Sequence, residues 1–285
     1  MKQLAQMIVL GLLSVAMGAC SSAQLTPERQ ATLDAVKDYT RIVQNANLLY
    51  ATDHLGYPPG ETTPKRVPVN CNQTDKCSFG FLVFVDANES FGANIEHVEV
   101  PQELNGVRAV VESGSGTYSD FYDFGGWMEH SFFHSSARLF TNEEDPDIGS
   151  IRVAAYANGF STGENPSVVE GTATWQGFVS ARDSSVTASI ENYVTGDARI
   201  SVALDGEAPL ADVLLSNLRN VSTGTEYLDI NYGRMELRNG RFERVSGEND
   251  YLRGAFYGPN QEEVAGTFEH RQGLIGAYGG KRKKP

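Results

Sequence analysis

Three runs near the C-terminus place an aliphatic residue, a glycine and an aromatic at alternate positions. They are Leu252-x-Gly254-x-Phe256, Val264-x-Gly266-x-Phe268 and Leu274-x-Gly276-x-Tyr278. A period of two puts the three named residues of each run on one face of a β-strand. Glycine in mid-stripe lets a neighbouring aromatic lie across the backbone and lets the sheet bend, which a closing barrel requires. The intervening residues, such as Arg253, Ala255, Thr267 and Glu269, are mostly polar or small, so the pattern predicts a meander with one buried face.

The same alternation extends upstream. After the turn-rich segment Gly159 to Pro166, the best boundary in the chain, eight strand candidates follow: 172–181, 198–204, 211–217, 230–237, 241–245, 251–257, 263–270 and 274–279. Eight antiparallel strands with short turns suit an up-and-down barrel, either filled by side chains or holding a small ligand. Ala173-x-Trp175-x-Gly177-x-Val179 carries the same glycine-beside-aromatic face as the last strands, which predicts that the first and last strands meet.

Before the boundary the pattern is mixed. Thr26-Pro27 is a good helix start, and Leu33, Val36, Ile42 and Leu49 recur at helical spacing until Gly56 and Pro58. An extended, proline-rich connector follows. Strands are expected at Phe81 to Val85, Ile95 to Val100, Val107 to Val111, Trp127 to Phe133 and Ile151 to Ala157. A loop rich in Gly, Ser, Tyr and Asp is expected over 112–126, and an acidic turn over 143–147.

The chain has 285 residues, 40% of them hydrophobic, enough for one large or two modest domains. Its net charge of -13 argues against phosphate backbones as partners, and no nucleic-acid module or phosphate loop is present. The start is distinctive: Lys2, an apolar run from Met7 to Ala16, then Met17-Gly18-Ala19 before Cys20. The run is short for a membrane span, so export is the better reading. It resembles a bacterial lipoprotein signal, which implies cleavage after residue 19, lipidation of Cys20 and, with Ser21 and Ser22 following, sorting to the outer membrane. Cys71 and Cys77 then remain, an even count that suggests a disulfide across a turn. Two thiols without a nearby histidine are too few for zinc.

Several residues invite chemistry. Gly159-Phe160-Ser161-Thr162-Gly163 matches a nucleophile elbow, but Glu164-Asn165-Pro166 follows where a helix is needed, so a linker is expected. His130 and His134 flank a packing pair, and an interval of four leaves them on one face of a strand. Glu143, Glu144, Asp145 and Asp147 read as a solvated loop rather than a calcium site. Lys281 to Lys284 form a basic tail.

The stretch Phe256-Tyr257-Gly258-Pro259, Glu262-Glu263, Val264-Ala265-Gly266-Thr267-Phe268 and Gly279-Gly280-Lys281-Arg282 resembles the signature of the transferrin-binding protein B barrel domain family. Gly125 to Ser131 and Ala173-Thr174-Trp175-x-Gly177 look like the transferrin-binding protein-like solute-binding branch, and the pattern is related to surface lipoproteins such as factor H binding protein. The resemblance implies a mainly β protein: a sheet-rich handle domain with an N-terminal helix, then an eight-stranded antiparallel barrel. The expected segments are a signal peptide at 1–19, a lipidated N-terminus and helix at 20–57, a handle at 58–165 and the barrel at 171–285.

It further implies a monomeric, non-enzymatic lipoprotein of the outer membrane or cell surface of a Gram-negative bacterium. Such a protein binds a protein or small solute, in iron acquisition among other roles. Tyr118, Phe121, Tyr122 and Trp127 are expected anchors for the ligand. His130 and His134 offer an alternative haem site at the handle-barrel junction, by analogy with haem-binding relatives. No other cofactor or metal is expected. A serine hydrolase using Ser161 and a purely structural envelope lipoprotein are the remaining alternatives.

Overall fold

The structure is a computed structural model that describes residues 48–55, 94–99, 103–115, 119–141, 149–167, 171–184, 192–205, 208–247 and 249–284. Cys20, Cys71, Cys77, Tyr118, the expected strand at 81–85 and the acidic turn at 143–147 lie outside them. The described residues form strands and no helix. The first sheet contains β1 (Leu48–Leu55), β2 (Asn94–Glu99), β3 (Glu103–Leu104), β4 (Val107–Ser115), β5 (Ser119–Trp127), β6 (Ser131–Phe140) and β7 (Ile151–Gly159). Its order is β1-β7-β6-β5-β4-β2, with β3 pairing β4.

The second sheet is the expected eight-stranded antiparallel barrel. Its strands are β8 (Thr172–Asp183), β9 (Val194–Asp205), β10 (Ala208–Asn220), β11 (Ile230–Glu236), β12 (Arg241–Gly247), β13 (Asp250–Tyr257), β14 (Glu263–His270) and β15 (Leu274–Arg282). The order β11-β10-β9-β8-β15-β14-β13-β12 joins first strand to last, with Tyr278 opposite Val179 and Gly280 opposite Gly177. The barrel is nearly closed, and its seam falls between β11 and β12, which are consecutive in sequence.

The glycine stripes line the interior. Phe242, Gly254, Gly266 and Tyr278 stand side by side across four strands. A side-chain carbon at Gly254 would lie 2.5 Å from both the Phe242 ring and the Tyr278 hydroxyl. That hydroxyl crosses the two glycines and donates to the Arg253 carbonyl at 3.1 Å, so two aromatics cover two bare positions. One row further on, the Phe268 ring covers Gly276. Trp175 and Phe256, with centroids 4.6 Å apart, complete a packed core of side chains.

The opposite face of these strands is not a solvent face. Ala255, Tyr257, Ala265, Thr267, Ile275 and Ala277 are all buried. The apolar members of this set share a second core with Val107, Phe124, Phe133 and Ala155 of the first sheet. The single buried face expected from the sequence is therefore two. Small residues look polar-compatible in a pattern, yet here they make room for a neighbouring sheet.

Three further expectations change. Within the loop expected at 112–126, residues 112–115 are the end of β4 and 119–126 are most of β5. Its glycines mark close approach rather than turning: a side chain at Gly125 would collide with the Phe133 carbonyl, and one at Gly126 would meet the Phe178 ring at 2.8 Å. The strand expected from Trp127 to Phe133 is split by a hairpin turn at 128–130 between the end of β5 and the start of β6, closed by Met128 N–H on the Ser131 carbonyl at 2.8 Å. Leu49, placed near the end of a helix by its spacing, lies in β1, whose tertiary pairing with β7 overrides local propensity.

Candidate functional site

Alternation along β5 and β6 sorts the nominated residues. Phe124 and Phe133 face the barrel, so Phe121, Asp123 and Trp127, with Phe132, His134, Ser136 and Arg138, occupy the other face of the sheet. Phe121, Trp127 and His134 are thus brought to one face. Tyr122 lies on the barrel side, stacked on Tyr193 at 5.7 Å with the Arg182 guanidinium 5.1 Å from its ring. His130 sits in the hairpin turn rather than on the strand with His134.

The far face is chemically mixed and buried. Asp123 has no exposed surface, and neither carboxylate oxygen makes a hydrogen bond. Arg138 Nη2 is 4.0 Å away, and Ser136 is its cross-strand partner without meeting hydrogen-bond geometry. Burial pushes the Asp123 carboxyl up, with Arg138 and Ser136 opposing it. His134 lies between the Tyr156 ring at 4.9 Å and the Phe132 ring at 6.0 Å. Burial, then Arg138 and Arg182, lower its pKa to about 3, so the imidazole is neutral. Sequence reasoning missed Asp123 because 112–126 read as loop, and Ser136 and Arg138 because the expected strand stopped at Phe133. The signal was Phe121-x-Asp123-x-Gly125-x-Trp127, a period of two diluted by glycine.

At the junction between the sheets, Glu263 of β14 caps the β5–β6 turn. Its carboxylate accepts from Glu129 N–H at 2.6 Å, His130 N–H at 3.0 Å and the Ser131 hydroxyl at 2.8 Å. Burial pushes the Glu263 carboxyl up against the opposing pull of these donors. The His130 ring lies over Gly258, which is held at φ 87, and its Nε2 is 4.0 Å from Glu129. Further along the junction, level with Thr267 of β14, the Ser180 hydroxyl donates to the Phe124 carbonyl at 2.5 Å. Its one proton is spent there, so Ser135 donates to Ser180 at 2.7 Å. The acidic pair in the sequence signature thus has a mechanical role for its second member.

The segment around Ser161 runs across one end of the barrel. Ser161 Oγ accepts from Gly163 N–H at 3.3 Å, and Gly163 at φ 75 turns the chain away from any helix. Asn165 then accepts from Gly240 N–H at 2.8 Å, and Gln261 Nε2 donates to Thr162 at 3.1 Å. The arrangement is that of a strapped linker. At the other end, Leu228 is 77% exposed while its backbone is fixed on both sides. Its N–H donates to Gln272 Oε1 at 3.0 Å, and its carbonyl accepts from Gln272 Nε2 at 3.2 Å. Among the described residues no cluster of three or more His, Cys, Asp or Glu side chains is arranged to hold a metal.

No protein-family model and no curated protein matches the chain. Among solved structures, it is similar to intact Ap-TbpB with its N and C lobes at 13% identity and a TM-score of 0.32, covering 83% of this chain and 46% of that one. A double mutant of the vaccine antigen Transferrin Binding Protein B from Haemophilus parasuis Hp5 is similar at 10% identity and a TM-score of 0.34, covering 84% and 46%. A single mutant of the same antigen gives 11% and 0.32, with the same coverage. The chain spans less than half the length of these structures.

Proposed function

We propose that this chain is a non-enzymatic, lipid-anchored binding protein of the bacterial outer membrane or cell surface that takes a protein or solute ligand on its exposed loops. One arrangement supports the reading. The barrel interior is occupied by side chains, while the loop before β11 displays Leu228 on a backbone pinned by Gln272. A large apolar side chain held outward on an ordered backbone loses little further freedom on binding. The lipoprotein-like start of the sequence supports the location. The test is capture from natural growth medium by the lipid-free ectodomain, read by mass spectrometry and metal analysis. The expected result is one dominant species, reduced by Leu228→Asp; equal capture by both proteins, or none by either, overturns the reading.

The haem reading rests on His130 at the junction, since His134 lies on the opposite face of the sheet and the two do not form a pair of axial ligands. An absorbance titration with haem decides it. A Soret shift lost in His130→Ala supports this second reading, and the absence of a shift removes it.

A further inference from the structure

The two end strands of the barrel follow one another in the chain yet form no ladder. β11 and β12 touch through a bridge between Arg238 and Arg241 at their turn. Below it, side chains bridge the gap: Arg244 Nη2 of β12 donates to the Gly233 carbonyl of β11 at 2.6 Å, and the Tyr232 hydroxyl of β11 donates to the carboxylate of Asp250 at the start of β13. β12 is weakly anchored, with six of its seven residues exposed and Phe242 alone buried. The backbone edge of β11 is thus met by a guanidinium where a neighbouring strand would stand. Such an edge is a template for another extended chain.

We infer that the seam between β11 and β12 is a strand-addition site for an extended, acidic segment of a partner protein. The charge at the seam selects the partner. Glu236 is engaged by Arg238 at 2.8 Å and Glu243 by Arg253 at 3.6 Å, whereas Arg241 and Arg244 have no acidic partner among the described residues. In a chain of net charge -13 this edge is locally positive, and it complements carboxylates on the incoming strand. A second copy of this chain is disfavoured, because edge-to-edge pairing would set the same arginines against one another. Arg244 shares the inward parity of Phe242, while Arg241 and exposed Val245 share the outward parity. A strand with acidic side chains on both faces therefore finds a cation on each.

The ectodomain is panned against a display library of random peptides, and the enriched sequences are synthesised. The expected peptides are acid-rich and free of central proline, and their binding slows amide hydrogen exchange in β11 and β12. Arg241→Glu weakens them by about tenfold or more, a change of one unit in log Kd. Tyr232→Phe loosens the clasp without altering charge and tightens binding several-fold. Absence of enrichment, affinity indifferent to Arg241→Glu, or protection outside β11 and β12 overturns the inference. Circular dichroism and the unfolding midpoint of each variant separate loss of binding from loss of fold.

Discussion

The rings of Phe133 and Phe178 meet between the two sheets with centroids 4.8 Å apart, and each fills the place that a side chain on the opposing sheet would need. Phe133, from the first sheet, presses on Gly279 of the barrel; Phe178, from the barrel, presses on Gly126 of the first sheet. The sheets are interlocked by a reciprocal exchange of ring for glycine.

Gly126→Ala and Gly279→Ala should each destabilise the protein by about 1–3 kcal/mol, the cost of overpacking a filled core. The two changes press on rings in contact, so the double variant should depart from additivity. Gly247→Ala is the control, since nothing lies within 4 Å of the added carbon, and it should be neutral. Urea unfolding midpoints at constant slope measure all three.

His134 and Asp123 should tilt stability with pH in opposite directions. The folded pKa of His134 is lowered from 6.5 to about 3, so between these values the unfolded chain holds a proton that the native state lacks. Stability therefore falls as pH drops through this window, by up to about 1.4 kcal/mol per pH unit. His134→Phe should flatten that limb of an acid-unfolding curve.

Asp123 has a folded pKa raised above 3.8, so the native state favours the protonated acid. Its stability contribution is present below the ordinary carboxylate range and is lost as pH rises through the folded value. Asp123→Asn should stabilise the protein at neutral pH by about 1–3 kcal/mol, the scale of burying an unsatisfied polar group. The gain should vanish in acid. Arg138, about a third exposed, keeps its hydration when the carboxylate is removed.

Glu263→Gln replaces one acceptor oxygen with an amide donor facing an N–H or a hydroxyl. The loss should be about 1–3 kcal/mol. Hydrogen exchange at the Glu129 and His130 amides should accelerate more than exchange elsewhere in β5 and β6; unchanged protection at these two amides would refute the cap.

If Cys20 carries the proposed anchor, metabolic labelling with a palmitate analogue should mark the native chain. The Cys20→Ser variant should be unlabelled and leave the membrane fraction. Labelling that survives the substitution sinks the anchor.

Much of the barrel was legible because its inward positions alternate large, glycine, large over whole strands. All eight strand candidates correspond to strands; most extend a few residues beyond the expected bounds, and β11 stops at Glu236, one residue short of them. β14 runs from Glu263 to His270, as expected from its pattern alone. The first sheet was harder to read. In β5 the glycines at 125 and 126 erase the period, since their function is to admit Phe178 and the backbone of β6, which belong to distant sequence. The location of His130 was lost for the same reason, because a turn stabilised by Glu263 carries no local signature of its own. The second buried face of β13–β15 was hidden in Ala255, Ala265 and Ala277, which are compatible with solvent until another sheet is known to cover them.

The cap on the β5–β6 turn joins residues more than 130 positions apart in sequence. The first sheet leaves the ribosome early, but the carboxylate that satisfies its hairpin and the surface that covers its apolar side come with the last three strands. Contacts of such separation make folding slow. Neither sheet has its full set of partners until the last three strands are in place, so the two sheets should unfold and refold in a single transition.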